Sequence, residues 1–155
     1  MSKRLFSPLV ALAAAGLVLA GLAFAAVPPV RSVAPAATPT LSVRASAYGR
    51  ILFDGRGRAL YAFTRDTRDR TTCSRACLAA WPAYTATGAL RAGAGVRRSK
   101  LGTIGRPDGR RQVTYAGRPL YHYVGDRRPG QVGCQNVREF GGLWLVVRPN
   151  GSLVR

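Results

Sequence analysis

Three cysteines are the side chains best suited to covalent chemistry in this 155-residue chain: Cys73, Cys77 and Cys134. Any one disulfide among them leaves one thiol that is free, reactive or paired with another molecule. Cys73 and Cys77 share one face if their segment is helical, although a bridge that closes so short a loop restrains the unfolded chain only weakly. A bridge from Cys134 to either of them would instead join distant parts of the chain and restrain it more.

His122 is the only histidine, and together with the three cysteines it could supply four ligands to zinc. The spacing of these residues matches no standard zinc motif, so we predict neither a metal nor a cofactor. A lone histidine without an evident nucleophile is more typical of a structural or surface residue than of a catalytic one, and no G-x-S-x-G, H-E-x-x-H or P-loop pattern is present. We therefore predict no catalytic residues, with a thiol, redox or metal-binding function of the cysteines as the alternative.

Asp66 and Asp126 are a second candidate for chemistry because they occupy equivalent places in two similar stretches of sequence. If they faced each other, a pair of carboxylates could do acid–base work once their pKa values were pushed apart. The stronger interpretation is structural, because each aspartate ends a strand-like run and enters a turn, where Asp side chains bind backbone N–H groups. An ion pair with Arg58 or Arg118 is equally consistent with the sequence.

The two aspartates belong to a tandem repeat, which is the main architectural signal of the chain. Residues 57–66 read GRALYAFTRD, and 60 residues later residues 117–126 read GRPLYHYVGD, with five of ten positions identical. A tryptophan follows each copy, Trp81 in repeat one and Trp144 in repeat two. Duplication at a fixed period indicates two related units, and because only about 105 residues follow the N-terminal segments they should share one core.

The repeated framework consists of two aromatic residues and an aspartate per copy: Tyr61, Phe63, Asp66, Tyr121, Tyr123 and Asp126. In both copies it fits the pattern Y-x-[FWY]-x-x-D, and the C-x3-C of repeat one runs into Ala80-Trp81-Pro82. On these motifs the chain resembles the bacterial secreted-repeat family, described as predicted lipoproteins with a tandem Y-x4-D motif. The resemblance covers about residues 48 to 151. It implies an exported protein of unknown biochemical function, and it favours the disulfide between Cys73 and Cys77.

Short apolar runs between Gly, Pro and Asp-Gly punctuation predict a mainly β fold, namely a small antiparallel domain built from the two repeats. Hairpins are expected around residues 54–57 and 116–119. One short helix is expected near residues 73–81, where Thr72 would be the cap and Pro82 would end it. Within each repeat the aromatic residues alternate onto one face and should form a shared aromatic core.

The N-terminal part of the chain is predicted to direct export. Residues 1–26 read as a signal peptide with a basic start, an apolar run and an A-x-A site, the alternative being an uncleaved anchor. No cysteine precedes Cys73, so the lipid anchor of the resembled family is not available. Residues 27–47 are rich in Pro and Ala and are predicted to be a linker. The tandem domain is expected over residues 48–155, with repeat one at about 48–88 and repeat two at about 101–151.

The charge of the chain is strongly positive, with 24 Lys and Arg against 6 Asp and Glu and a formal net charge of +18. Such a charge favours polyanions as partners. Export argues against nucleic acid as the physiological target, and no nucleic-acid motif is present. We predict a secreted or cell-envelope protein that is a non-enzymatic binding or structural module. Its expected partner is another envelope protein or an anionic cell-surface polymer, and it would contact the membrane only through an uncleaved N-terminal segment.

Overall fold

A computed structural model of the chain describes residues 40–155. The predicted signal peptide, residues 1–26, lies outside the described residues, as does most of the predicted linker. Among the described residues no helix is long and apolar enough to cross a membrane. Within these residues the regular elements are eight strands, one α-helix and a 3-10 helix at Arg98–Lys100. In chain order the strands and the α-helix are β1 (Leu41–Ser46), β2 (Gly49–Asp54), β3 (Tyr61–Phe63), α1 (Ala76–Ala80), β4 (Leu101–Gly105), β5 (Arg111–Tyr115), β6 (Arg118–Pro119), β7 (Val137–Glu139) and β8 (Gly142–Val146). The prediction of a mainly β fold with one short helix is confirmed.

The strands form three small antiparallel sheets with the orders β1-β2, β3-β8-β7 and β4-β5-β6. The central sheet joins the repeats, because β3 of repeat one pairs with β8 of repeat two and sets Phe63 opposite Trp144. Repeat one also contributes backbone pairing to repeat two. At an isolated bridge, Ala83 of repeat one pairs with Tyr121 of repeat two. Each repeat therefore completes its sheet with a strand segment from the other repeat.

Both predicted hairpins form, but each is short. In repeat one the turn is closed by the Asp54 N–H, which donates to the Arg58 carbonyl (2.9 Å), before β3 leaves to pair with β8. The glycine of each turn has a positive φ, +85° at Gly57 and +74° at Gly117, which favours glycine. A Cβ at Gly117 would also lie 2.7 Å from a side-chain carbon of Arg68. The glycine that opens each repeated pattern is thus required by the turn.

Alternation along β3 divides the interior into two clusters. Tyr61 and Phe63 face a cluster that contains both tryptophans and all three cysteines, whereas Leu60 and Ala62 face a second, mainly aliphatic cluster that includes Tyr115. The second cluster includes Leu41 and lies against residues of both repeats. The expected sharing of a face by alternate aromatic residues follows from the two-residue period of a strand.

The predicted linker extends too far, because its last residues form β1. Leu41 is fully buried and Val43 is nearly so, and β1 pairs along its whole length with β2. Burial of these alternate apolar side chains stabilises a strand where the Pro-rich composition suggested a tether. The folded domain therefore includes Leu41–Ser46, which precede the predicted start at residue 48.

The predicted N-terminus of the helix is also wrong. The helix begins at Ala76, and Arg75 occupies the cap position with a φ of +44° and no side-chain cap bond. Thr72 is not the cap, because its N–H and its hydroxyl both donate to Asp66 Oδ1 (2.7 and 3.0 Å). Pro82 follows the last helical turn as expected.

Candidate functional site

The repeated motif residues meet at the centre of the domain, around an approximate two-fold relation between the repeats. Tyr61 and Tyr121 lie opposite each other, and the N–H of each donates to the carbonyl of the other, both at 2.9 Å. Both side chains are fully buried. The two copies of the pattern therefore contact each other directly through their backbones.

The first tyrosine of each repeated motif is hydrogen-bonded to the motif aspartate of the other repeat. The Tyr61 hydroxyl donates to Asp126 Oδ2, and the Tyr121 hydroxyl donates to Asp66 Oδ2, both at 2.6 Å. The second oxygen of each carboxylate accepts a backbone N–H, from Gly133 to Asp126 (2.8 Å) and from Thr72 to Asp66 (2.7 Å). The sequence did not predict these crossed Tyr–Asp bonds, although the backbone N–H donors agree with its structural interpretation. The expected ion pair with Arg58 or Arg118 does not form, because Arg58 donates to the Tyr123 carbonyl and Arg118 to the Gly151 carbonyl.

Burial is the largest cause of the pKa shifts in these pairs. It raises the pKa of Tyr61 far above its usual value, and the hydrogen bond to Asp126 and that carboxylate's charge raise it further. Burial, the charge of Asp66 and the hydrogen bond to Asp66 raise the pKa of Tyr121 in the same way. Burial also raises the pKa of Asp66, and the hydrogen bonds from Tyr121 and Thr72 oppose that change only in part. The phenols therefore stay protonated at neutral pH and donate to the carboxylates.

An aromatic stack fills the space between the crossed pairs. The rings of Trp81 and Trp144 are parallel, with centroids 4.0 Å apart and an interplanar angle of 3°. Phe63 stacks on Trp144 at 4.3 Å, and Tyr123 lies against Trp81 at 4.8 Å. Each tryptophan also receives an edge contact from the tyrosine of its own repeat, with Tyr61 5.2 Å from Trp81. Six aromatic rings thus make one continuous cluster. The alternation in the sequence predicted a shared aromatic core but not the contacts between the rings.

The cysteines occupy two different situations. Cys73 and Cys77 form a disulfide with Cα atoms 5.4 Å apart, the pair that the resemblance favours. Cys134 is buried and free. It directly follows Gly133, just as Cys73 directly follows Thr72, and both preceding residues donate their N–H to an aspartate. Cys134 is therefore the repeat-two counterpart of Cys73. Burial raises the pKa of its thiol, although a hydrogen bond with Tyr123 acts in the opposite direction.

A second polar pair lies where the sequence predicted only a turn. His122 points away from the aromatic stack, as expected, and its Nε2 lies 3.0 Å from Asp54 Oδ2. Asp54 Oδ1 accepts the N–H groups of Arg56 (2.9 Å) and Arg58 (2.8 Å). Burial alone would raise the pKa of Asp54, but the bonds from His122 and from the backbone outweigh it and lower that pKa. The only sequence signal for Asp54 was the Asp-Gly of a hairpin turn.

The remaining feature that bears on function is the net positive charge of the surface. Most acidic side chains do not offset it, because they are hydrogen-bonded to groups inside the domain. Of the six, four have internal partners: Asp54, Asp66, Asp126 and Glu139, the last of which accepts the Trp81 indole N–H at 2.7 Å. The other two contact arginines. Within residues 40–155 only three arginines lie within salt-bridge distance of a carboxylate: Arg68, Arg106 and Arg110. Most of the positive charge is therefore not neutralised by the protein itself.

Metal ligation finds no support in the part of the chain that the structure describes. Residues 40–155 contain no group of three or more His, Cys, Asp or Glu side chains placed to hold an ion. Two of the four ligands considered from the sequence, Cys73 and Cys77, are consumed by the disulfide. The third, His122, is held by Asp54 rather than by a cysteine.

The crossed repeats and the disulfide define a small tandem-repeat β domain. The chain belongs to the family described as a secreted repeat of unknown function, whose profile matches residues 42–85 and 102–148. The resemblance seen in the motifs is thus confirmed, and the secreted description agrees with the disulfide. Neither a curated protein nor a solved structure matches the chain.

Proposed function

We propose that this secreted repeat domain is a non-enzymatic binding module that attaches to anionic polymers of the cell envelope. The observation that carries the proposal is the use of the acidic side chains. Four of six are bound to partners inside the fold, while most arginines of residues 40–155 have no carboxylate within salt-bridge distance. A surface of unopposed positive charge attracts polyanions over a long range.

The motif residues support a framework rather than a catalytic role. Both tyrosines have a raised pKa. The crossed bonds give one oxygen of Asp66 and of Asp126 a hydrogen-bond donor, and a backbone N–H donates to the other oxygen of each. A general acid or base needs a pKa near the working pH and access to its substrate. Buried tyrosines that are protonated throughout the physiological range meet neither condition.

The thiol or redox alternative has less support. A reactive cysteine is accessible and has a depressed pKa. The Cys134 side chain is buried and its pKa is raised, chiefly by that burial. The C-x3-C cysteines are already joined to each other.

A polymer is favoured over a protein partner by what the surface exposes. Only three large apolar side chains are exposed among the described residues: Tyr48, Val124 and Phe140. Stable protein interfaces have a core enriched in aromatic and apolar residues, whereas binding to a polyanion requires distributed positive charge. A secreted protein also meets envelope polymers before it meets nucleic acid.

The test is the salt dependence of binding to a defined polyanion. Linear polyphosphate, immobilised and titrated with the purified oxidised protein, should bind at roughly 50 mM salt and lose affinity steeply by about 200 mM. Neutral dextran is the matched control and should not bind. Absence of binding to polyphosphate at low salt would sink the proposal, as would binding that persists at about 1 M salt, where charge attraction is screened.

A further inference from the structure

Three cavities that share lining residues adjoin one another and form an open depression on the domain. The largest, of about 580 Å³, shares Arg97 with a neighbour of about 520 Å³. It shares Arg68, Ala116 and Gly117 with a third of about 220 Å³. We name this depression the basic trough. The cationic side chains that line its two larger cavities are Arg50, Arg68, Arg97, Lys100 and Arg148.

Negative charge in the basic trough is scarce. Asp69 is the only acidic residue that lines either of the two larger cavities, and its carboxylate lies 3.7 Å from Arg68. Asp66 lines the smallest cavity, but its oxygens accept hydrogen bonds from Tyr121 and Thr72. Arg50 and Arg97 are exposed and near no carboxylate. Their guanidinium groups are available to an external anion.

The walls of the basic trough are fixed by hydrogen bonds to the backbone. The Tyr115 hydroxyl accepts the Arg97 N–H (3.1 Å) and donates to the Pro149 carbonyl (2.8 Å), so one buried side chain joins two rims. At the other end the Asp69 N–H donates to the Gly117 carbonyl (2.7 Å), which ties the loop that carries Arg68 to the β5–β6 turn. The backbone around the cations is therefore preorganised, which lowers the cost of binding.

Resting on the proposed function, we propose that the basic trough is where the domain holds its polymer, and that the polymer is a single extended chain bearing phosphate groups. Several guanidinium groups around one depression suit phosphate, because Arg can bind two phosphate oxygens at once. The concave form favours a chain over a flat bilayer, whose headgroups would reach the rims but not the floor. A polymer and a lipid headgroup both present phosphate. The test distinguishes them by comparing binding to polyphosphate with binding to vesicles.

The test compares two variants of equal net charge. Arg50→Gln with Arg97→Gln removes two cations from the basic trough, and both side chains are exposed. Arg127→Gln with Arg128→Gln removes two exposed cations that line none of the three cavities. Circular dichroism melting of both variants checks that the fold is retained. Affinity for linear polyphosphate is measured across a salt series, alongside vesicles of anionic phospholipid.

The trough variant should lose about tenfold or more in affinity, because it removes two cations that face the polyanion, and its salt slope should be shallower by about two. The control variant should stay within about threefold of the unaltered protein, because distant exposed charges are largely screened. Equal losses in both variants would overturn the basic trough as the site and leave the proposed function standing. Failure of the unaltered protein to bind polyphosphate would overturn both. Vesicle binding as tight as polymer binding would overturn the choice of a chain.

Discussion

The crossed Tyr–Asp bonds make a sharp prediction about Tyr61→Phe. The Tyr61 hydroxyl is the donor to Asp126 Oδ2, at 2.6 Å, and both residues are essentially excluded from water, with Tyr61 0% and Asp126 1% exposed. Removing the hydroxyl leaves that oxygen without its donor, while Gly133 still donates to the other oxygen. Water cannot readily replace the lost donor in so closed a position.

The expected loss of stability differs between the two repeats. A hydrogen bond to a charged group contributes about 1.5–3 kcal/mol, and an orphaned buried partner adds its desolvation, so we expect Tyr61→Phe to cost about 3 kcal/mol. Tyr121→Phe should cost about 1.5 kcal/mol. The difference arises because Asp66 is less buried than Asp126 and keeps two bonds from Thr72, one from its N–H and one from its hydroxyl.

The assay is urea unfolding of the oxidised protein at neutral pH, followed by tryptophan fluorescence. Tyr48→Phe is the matched control because Tyr48 is exposed, and its free energy of unfolding should change by less than about 0.5 kcal/mol. A double-mutant cycle with Asp126→Asn should return a coupling energy of about 1–3 kcal/mol for the pair. The reasoning is refuted if Tyr61→Phe is as mild as the control, or if Tyr121→Phe is the more damaging change.

Three further predictions concern the cysteines and Asp54. Reduction of the Cys73–Cys77 disulfide, or replacement of both by Ser, should lower the free energy of unfolding by about 2 kcal/mol, measured by urea titration; no change would contradict the restraint. Cys134 should react with iodoacetamide at least about tenfold more slowly in the folded than in the urea-unfolded protein at pH 8, because its thiol is buried and its pKa raised. Because the pKa of folded Asp54 is lowered, its contribution is present at neutral pH and is lost as the pH falls through that value. Asp54→Asn should therefore destabilise the protein more at pH 7 than at about pH 3, and an equal effect at both would refute the assignment.

The local features of the fold could be predicted because they depend on local physics. Period-two alternation placed Tyr61 and Phe63 on one face, and turn chemistry required glycine at positions 57 and 117. The mainly β class followed from the density of short apolar runs. The inclusion of β1 in the fold could not be predicted, because its burial rests on only two apolar side chains, Leu41 and Val43, next to a Pro- and Ala-rich stretch of sequence.

The exchange between repeats could not be predicted, because the two copies carry the same pattern. Nothing in either copy specifies whether Tyr61 binds the aspartate of its own repeat or that of the other, since both would satisfy the same groups. The choice is made by long-range pairing of β3 with β8, and short apolar runs give no partner information. Asp54 was missed for a related reason: its partner His122 is distant in sequence, and a turn alone accounts for an aspartate there.

The exchange of strand segments has a consequence for the order in which the chain can fold. A polypeptide emerges from its N-terminus, but β3 in the first half lacks its neighbour until β8, close to the C-terminus, has also emerged. The first repeat therefore cannot complete its fold before the second repeat has been synthesised. The whole domain should fold in one late step. A chain that is exported before that step would not need to be unfolded to cross the membrane. It would fold only after translocation.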